Sequence, residues 1–317
     1  MIYVSFILPA YNVAPFISEA ISSIMELPEN EIEVIVVNDG STDNTLEVAK
    51  GYEGKIKNLK IIDQKNQKLC IARNNGFLQA TGKYIHFFDS DDIIEVSEFK
   101  KVYLEAKTQD WDIIAGNAFF YKDGQKTGPV TRDQFKSKLG VVNGPEYFHY
   151  TNQKKEYAQF CWLFLIKRDF LTKNEIKFTE GIKHEDKEFA AKCFARAKTV
   201  KYIPAHFVLY RQRSTSISYE PTRYYSPESV EDYKTVIANL SDWHQKSNDE
   251  GEKSVLNRAI AECFATIYRR IPLMKKHKIP EVKKYNWNYI NSSNSFHFLT
   301  LKNKMLVLEK RFKAFIR

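Results

Sequence analysis

Residues 82–92 read GKYIHFFDSDD, and the fold turns on how they are read. Tyr84 to Phe88 is an apolar, aromatic run that opens directly into Asp89, Ser90, Asp91 and Asp92. A short apolar run bounded by turn residues reads as a buried strand. In an open parallel sheet, ligands gather at the carboxyl ends of the strands. Three carboxylates in four residues repel one another there unless something offsets the charge. A hard divalent ion, magnesium or manganese, would do so and bridge them to a diphosphate. The competing reading is a helix start with extra acid in its first turn.

The pattern repeats on either side. Ile2 to Leu8 is an apolar run ending at Pro9, where a strand is expected to stop because proline cannot continue a ladder. Ala14 to Leu27 has helical spacing, and Ile32 to Val37 is a β-branched strand leading into the turn Asn38 to Ser41. A helix is expected over Thr42–Tyr52, a strand over Leu59–Ile62 and a helix over Leu69–Ala80. Ile94–Lys107 follows as a helix and Trp111–Ala115 as a strand. Strands alternating with helices predict an α/β fold with a mostly parallel, doubly wound sheet. Further on, Phe160 to Leu171 is apolar, Glu185 to Ala197 is helical, and Val200–Ile203 and Phe207–Arg211 read as two strands. Beyond Tyr219 the pattern is helical: Val230–Trp243, Val255–Tyr268 interrupted by Pro272 and Pro280, and Leu301–Arg317. The expected division is an α/β domain over 1–218, with halves meeting near 116, and a C-terminal helical region over 219–317.

Composition narrows the class. The 317 residues are 43% hydrophobic and 14% aromatic, enough for a buried core rather than a disordered chain. A net charge of +9 favours anionic partners without choosing among them. Cys70, Cys161, Cys193 and Cys263 form no close pair, so reduced thiols in a cytoplasmic setting are expected. The opening MIYVSFILPAYN lacks the features of a signal peptide, and no apolar run reaches the roughly 18 residues of a membrane span. A nucleic-acid binder would need clustered basic residues with a recognisable module, and none is found. The dinucleotide fingerprint G-x-G-x-x-G is absent, against a nicotinamide dehydrogenase.

Taken in order, SFILPAYN (5–12), EVIVVNDGSTDNT (33–45), ARNNG (72–76) and GKYIHFFDSDD (82–92) closely resemble the family 2 glycosyltransferases. The likeness is clear from Val4 to about Ile94 and weaker to Ser218. It implies the GT-A fold, an inverting reaction, a nucleotide-sugar donor (a UDP-sugar), a Mn2+ or Mg2+ cofactor and a glycan or lipid-linked glycan acceptor. It places Pro9, Ala10 and Tyr11 in the nucleotide pocket and Asp39 on the uracil edge. From the residues alone, Asp39 also suits a turn that caps the following helix. Arg73 would pair with Asp39 or contact the donor. Asp89 and Ser90 would lie at the donor ribose or sugar, and Asp91 would be the chief metal ligand.

The resemblance further implies a catalytic base in the acidic pair opening the helix at Glu185. Asp186 is the expected base and Glu185 its support, against the plain reading of acids at a helix N-terminus. Arg211, Arg213 and Ser216 would close on the diphosphate, since guanidinium groups match phosphate oxygens. His206 would be a third metal ligand or a packed strand residue, and Trp162 an acceptor contact or a core residue. Lys302, Lys304, Lys310, Arg311, Lys313 and Arg317 flank an apolar stripe in the last helix. That stripe suits an anionic membrane surface, or packing on the catalytic domain or a second subunit in a homodimer. A sugar-phosphate nucleotidylyltransferase and a non-catalytic nucleotide-sugar-binding protein are the alternatives.

Overall fold

The computed structural model describes residues 1–213 and 226–276, together with Lys304, Val307 and Leu308. It forms two compact units, Met1–Gly181 with Ala197–Gln212, and Ile182–Arg196 with Arg213–Arg317.

The first unit runs β1 (Val4–Ala10), α1 (Ala14–Ile24), β2 (Ile32–Asp39), α2 (Thr45–Lys50), β3 (Leu59–Gln64), α3 (Lys68–Gln79), β4 (Tyr84–Phe87) and β5 (Ile93–Ile94). It continues with α4 (Val96–Thr108), β6 (Ile113–Lys122), β7 (Gln125–Pro129), β8 (Val141–Val142), α5 (Gly144–Lys154), β9 (Phe164–Lys167) and α6 (Arg168–Lys173), and closes on β10 (Val200–Arg211). The strands form one sheet in the order β3-β2-β1-β4-β9-β6-β10-β5, with β7 on β6 and β8 on β10. The long registers are parallel: β1 with β2 and β4, β2 with β3, and β6 with β10. The short strands β5, β7, β8 and β9 run antiparallel to their neighbours.

Alternation along β1 shows why helices cover both faces. Ile7 points to α3, where Gly76 lies against it. Its neighbour Phe6 points the other way, to His86 and to Phe99 of α4. His86 sits wholly inside this aromatic cluster, and burial pushes its pKa down to about 4, so the ring is neutral. All four cysteines are buried free thiols.

Three expectations need correction. β1 does not stop at Pro9; it pairs with β2 through Ala10. Pairing of β1 with β4 ends at Ile7, so the missing proline N–H faces a side where no ladder partner remains. Val200–Arg211 is one strand, not two, because register shifts between Tyr202 and Val208 absorb the irregularity that Pro204 introduces. In the second unit, Pro272 does not interrupt its helix, whose packed face continues to the buried Met274.

That second unit contains α7 (Glu185–Arg196), α8 (Pro227–Lys246) and α9 (Glu250–Lys276), packed on one another. Ser226 caps α8 with Pro227 in its first turn. The buried Glu188 of α7 pairs with Lys192 at 2.5 Å and accepts from Asn239 of α8 at 3.1 Å. The C-terminal segment 301–317 lies outside the described residues except for Lys304, Val307 and Leu308. Among the described residues no helix is long and apolar enough to cross a membrane.

At the amino edge of the sheet, Glu33 is buried and accepts from the Ser5 hydroxyl at 2.5 Å, Thr81 N at 2.5 Å and Gly82 N at 3.0 Å. Lys60 pairs with it at 3.0 Å. Burial alone would raise the Glu33 pKa, but the bonds from Ser5, Thr81 and Lys60 outweigh it and hold the carboxyl below its ordinary 4.5. Glu33→Ala should lower the unfolding free energy by about 3 kcal/mol at neutral pH, because buried donors lose their acceptor. A depressed folded pKa gives stability that is present above the unfolded pKa of 4.5 and fades as pH falls. Denaturant titrations across that range should therefore show the wild type and variant converging in acid.

Candidate active site

The loops after β1 and β2 are laced together. Asn12 N donates to the Ser41 hydroxyl at 3.1 Å, and Thr42 N donates to Asn12 Oδ1 at 2.8 Å. Val13 N reaches Thr45 Oγ1 at 2.9 Å and Ala14 N reaches Asp43 Oδ2 at 3.2 Å. Pro9 and Ala10 are buried beneath this junction, while Tyr11 is half exposed at its tip. Asp39, the last residue of β2, is buried. Its Oδ1 accepts from Gln64 Nε2 at 2.7 Å and from Gln67 N at 2.8 Å. Helix α2 begins at Thr45 behind Asn44, so Asp39 caps nothing there and instead ties down the segment from β3 to α3.

The ARNNG segment lies on α3, and four of its residues each serve this edge. Gly76 permits close packing: a Cβ there would press on Ile7 and meet Val37 at 3.2 Å. Asn75 donates to Gln64 at 2.7 Å, which in turn holds Asp39. Asn74 makes two bonds to the Phe178 backbone, at 2.9 and 3.0 Å. The buried Arg73 pairs with Asp89 at 2.9 Å rather than with Asp39, and its guanidinium lies 5.0 Å from the Phe178 ring centre.

The acidic turn is fixed from several sides. The Ser90 hydroxyl donates to Pro9 O at 2.7 Å, on the side of β1 vacated by β4. Arg211, at the end of β10, donates its backbone N to Asp92 Oδ1 at 2.8 Å and its Nε to Asp91 O at 2.7 Å. Its guanidinium bonds Glu19 of α1 at 2.5 Å and lies between the rings of Phe16 and Tyr121, 5.3 and 5.2 Å from their centres. Asp92 is fully buried and its Oδ2 has no hydrogen-bond partner among the described residues. Burial, then the charges of Asp91 and Asp89, push its pKa well above the carboxylate range. Among the described residues no three His, Cys, Asp or Glu side chains form a metal cage. Asp89, Asp91 and Asp92 offer hard carboxylate oxygens, the donor type that magnesium and manganese take beside phosphate oxygens and water.

Other expected residues fall elsewhere. His206 stacks on Phe119 at 4.4 Å, bonds Asn117 at 3.2 Å and lies 3.6 Å from the Asp133 carboxylate, the surroundings of a packed strand histidine. Trp162 is buried between Phe160 and Tyr210. Glu185 and Asp186 open α7 in the second unit, Glu185 buried and Asp186 partly so. His184 just before them has φ 68°, stacks on Tyr233 at 4.6 Å and bonds the Ser229 hydroxyl at 3.0 Å. Burial and the adjacent Arg270 push its pKa down to about 3, so it is a neutral structural residue. Arg213 is partly buried and belongs to the second unit, and Ser216 lies outside the described residues.

Residues 5–171 match the family described as "Glycosyl transferase family 2". The chain belongs to that family. It is 30% identical to the uncharacterized glycosyltransferase YibD of Escherichia coli (strain K12) over 68% of its length and 62% of that protein's. It is 31% identical to the uncharacterized glycosyltransferase EpsJ of Bacillus subtilis (strain 168), over 74% of this chain and 69% of the relative. The chain thus spans somewhat under two thirds of YibD. The S. aureus TarS fragment 1–349, solved with UDP-GlcNAc, superposes with a TM-score of 0.73 at 20% identity, covering 99% of this chain and 89% of TarS. That likeness carries the expected fold.

For this family 2 chain, sequence reading missed Gln64, Glu19 and Phe178. Gln64 ends β3 beside Asp39, two residues past where the strand was expected to stop, so a longer strand would have flagged it. Glu19 looks like any exposed helical acid, and only the fold brings it to Arg211. Gly76→Ala should destabilise the protein by about 2 kcal/mol through overpacking against Ile7 and Val37. Guanidinium denaturation would measure this, and an unchanged midpoint would show that α3 has room to move.

Proposed function

We propose that this transferase moves a sugar from a UDP-sugar to a hydroxyl of a glycan or lipid-linked glycan in a single inverting displacement. The observation that carries the reading is the meeting of Asp39, the Arg73–Asp89 pair and the Arg211-held acidic turn at one laced sheet edge. TarS, solved with UDP-GlcNAc, supports the choice of donor class.

In this reading Asp39 presents Oδ2, which takes no hydrogen bond among the described residues, to the uracil N3–H. Pro9, Ala10 and Tyr11 line the base and ribose, while Asp89 and Ser90 lie toward the ribose and donor sugar. Asp91 would hold a Mn2+ or Mg2+ ion, which when bound would neutralise charge on the departing nucleoside diphosphate. Arg211 keeps the turn in place, and Arg213 and Ser216, the latter outside the described residues, would serve the diphosphate. Asp186 takes the proton of the acceptor hydroxyl as it attacks, with Glu185 in support. The basic segment over 302–317 would hold the enzyme at an anionic lipid surface, where a lipid-linked acceptor resides.

A panel of nucleotide sugars tests this directly. Some UDP-sugar should release UDP only when manganese or magnesium is present. Asp91→Asn should abolish that release. Asp186→Asn should leave UDP binding intact yet slow transfer by about a thousandfold, the scale of a lost general base. Normal transfer by Asp186→Asn would remove it as the base, and metal-independent release would remove the ion.

A further inference from the structure

The carboxyl edge carries a second feature that the donor reading leaves unused. Phe160, Trp162 and Tyr210 form a column of nearly parallel rings. Phe160 and Trp162 lie 5.1 Å apart at 12°, and Trp162 and Tyr210 lie 5.2 Å apart at 13°. Phe120 adjoins Tyr210 at 5.9 Å, its partner in the β6–β10 register. The column is buried at its middle, with Trp162 only 3% exposed, and open at its end, where Phe160 is 36% exposed.

Strand direction puts this column beside the acidic turn. β9 runs antiparallel to β4 and β6, so the 3-10 turn Cys161–Leu163 before it lies toward the end where β4 finishes and alongside the part of β6 that follows Ala115. Tyr210 and Arg211 are consecutive in β10 and point to opposite faces. Arg211 holds Asp91 and Asp92 on one side, while Tyr210 begins the aromatic column on the other. An isolated exposed phenylalanine means little, but this ring is backed face-on by a buried tryptophan and fixed at the ligand edge.

We propose that the open face of Phe160 is a stacking platform for a pyranose ring of the acceptor. The proposal rests on the transferase reading above and names where its second substrate sits. The π face carries negative charge density, and the axial C–H bonds on one face of a pyranose are weakly positive, so the two surfaces match without hydrogen bonds. A flat ring supported from behind loses little side-chain freedom on binding. It selects for a sugar with one face free of axial hydroxyls and leaves the hydroxyl pattern at the ring's rim to other groups.

Saturation-transfer NMR with methyl pyranosides tests the platform. The probes are the gluco, galacto and N-acetylglucosamine methyl glycosides, each with UDP and magnesium. In the wild-type protein, saturation should reach the axial ring protons of at least one glycoside. Phe160→Ala should weaken that signal about fivefold, the scale of one aromatic contact, and Phe160→Trp should restore it. Saturation of the uracil protons of UDP should be equal in all three proteins, showing that each is folded. The platform is overturned if Phe160→Ala leaves the glycoside signal unchanged, if UDP alone is saturated in the wild type, or if the uracil signal is what disappears. Phe160-dependent glycoside signals with no UDP signal would leave the platform standing and sink the donor reading instead.

Discussion

Two guanidinium groups hold the turn at Asp89–Asp92, and the site exists because they do. Two like charges about 4 Å apart repel by about 4 kcal/mol at an effective dielectric of about 20. A run of three carboxylates cannot keep one shape against that without help. Arg73 sets a positive charge on Asp89, and Arg211 clamps the Asp91 carbonyl while its own backbone satisfies one oxygen of Asp92. The third charge is relieved differently, because burial and its neighbours raise the Asp92 pKa. The two arginines come from α3 and β10, more than a hundred residues apart, so the turn reports whether the whole sheet is assembled.

The same constraint explains the company each arginine keeps. A buried guanidinium needs partners for its donors and something flat for its faces. Arg73 has Asp89 and the Phe178 ring, and Asn74 beside it fixes the Phe178 backbone. Arg211 has Glu19, the Asp91 carbonyl and two rings, from Phe16 and Tyr121. Neither arginine is a free arm waiting for phosphate. Their positive charge still lies beside the turn, where it offsets the crowded carboxylates.

Much of this edge is legible in the sequence, and the limits have physical causes. Strong periodicity marks β1, β2, β4, α1 and α3, and the rule that ligands gather at strand ends points to the polar clusters after them, while the resemblance singles out Asp39 and Asp91 within those clusters. Pairing partners are not legible. Arg73 could be assigned to Asp39 or the donor because sequence places it on a helix but not against a particular carboxylate, and the packing of α3 on β1 decides for Asp89. Pro9 misleads because its missing donor matters only if a neighbour needs it, and whether β4 reaches that far is a matter of register. β9 is hidden inside an apolar run that continues into α6, since a strand of four residues has too few alternations to show a period. The acids opening α7 owe their assignment to resemblance; their local chemistry fits a helix start equally well.

The segment that decides the fold also divides its tasks between the two ends of one strand. At its start, Gly82 sits so close to Ser5 that a Cβ would lie 2.6 Å from the hydroxyl oxygen, and its N–H helps satisfy the buried Glu33. That end is closed, with donors and acceptors matched among protein groups. At its finish, four residues beyond β4's first pairing with β1, stands Phe88, and the turn beyond it leaves Asp92 Oδ2 unmet among the described residues and like charges adjacent. A buried acid with one oxygen unmet costs stability, and groups that break local rules in this way cluster at functional sites. The contrast between a satisfied amino edge and an unsatisfied carboxyl edge therefore bears on function without help from any homologue. The unsatisfied end coincides with the stretch of chain where the family's motif lies.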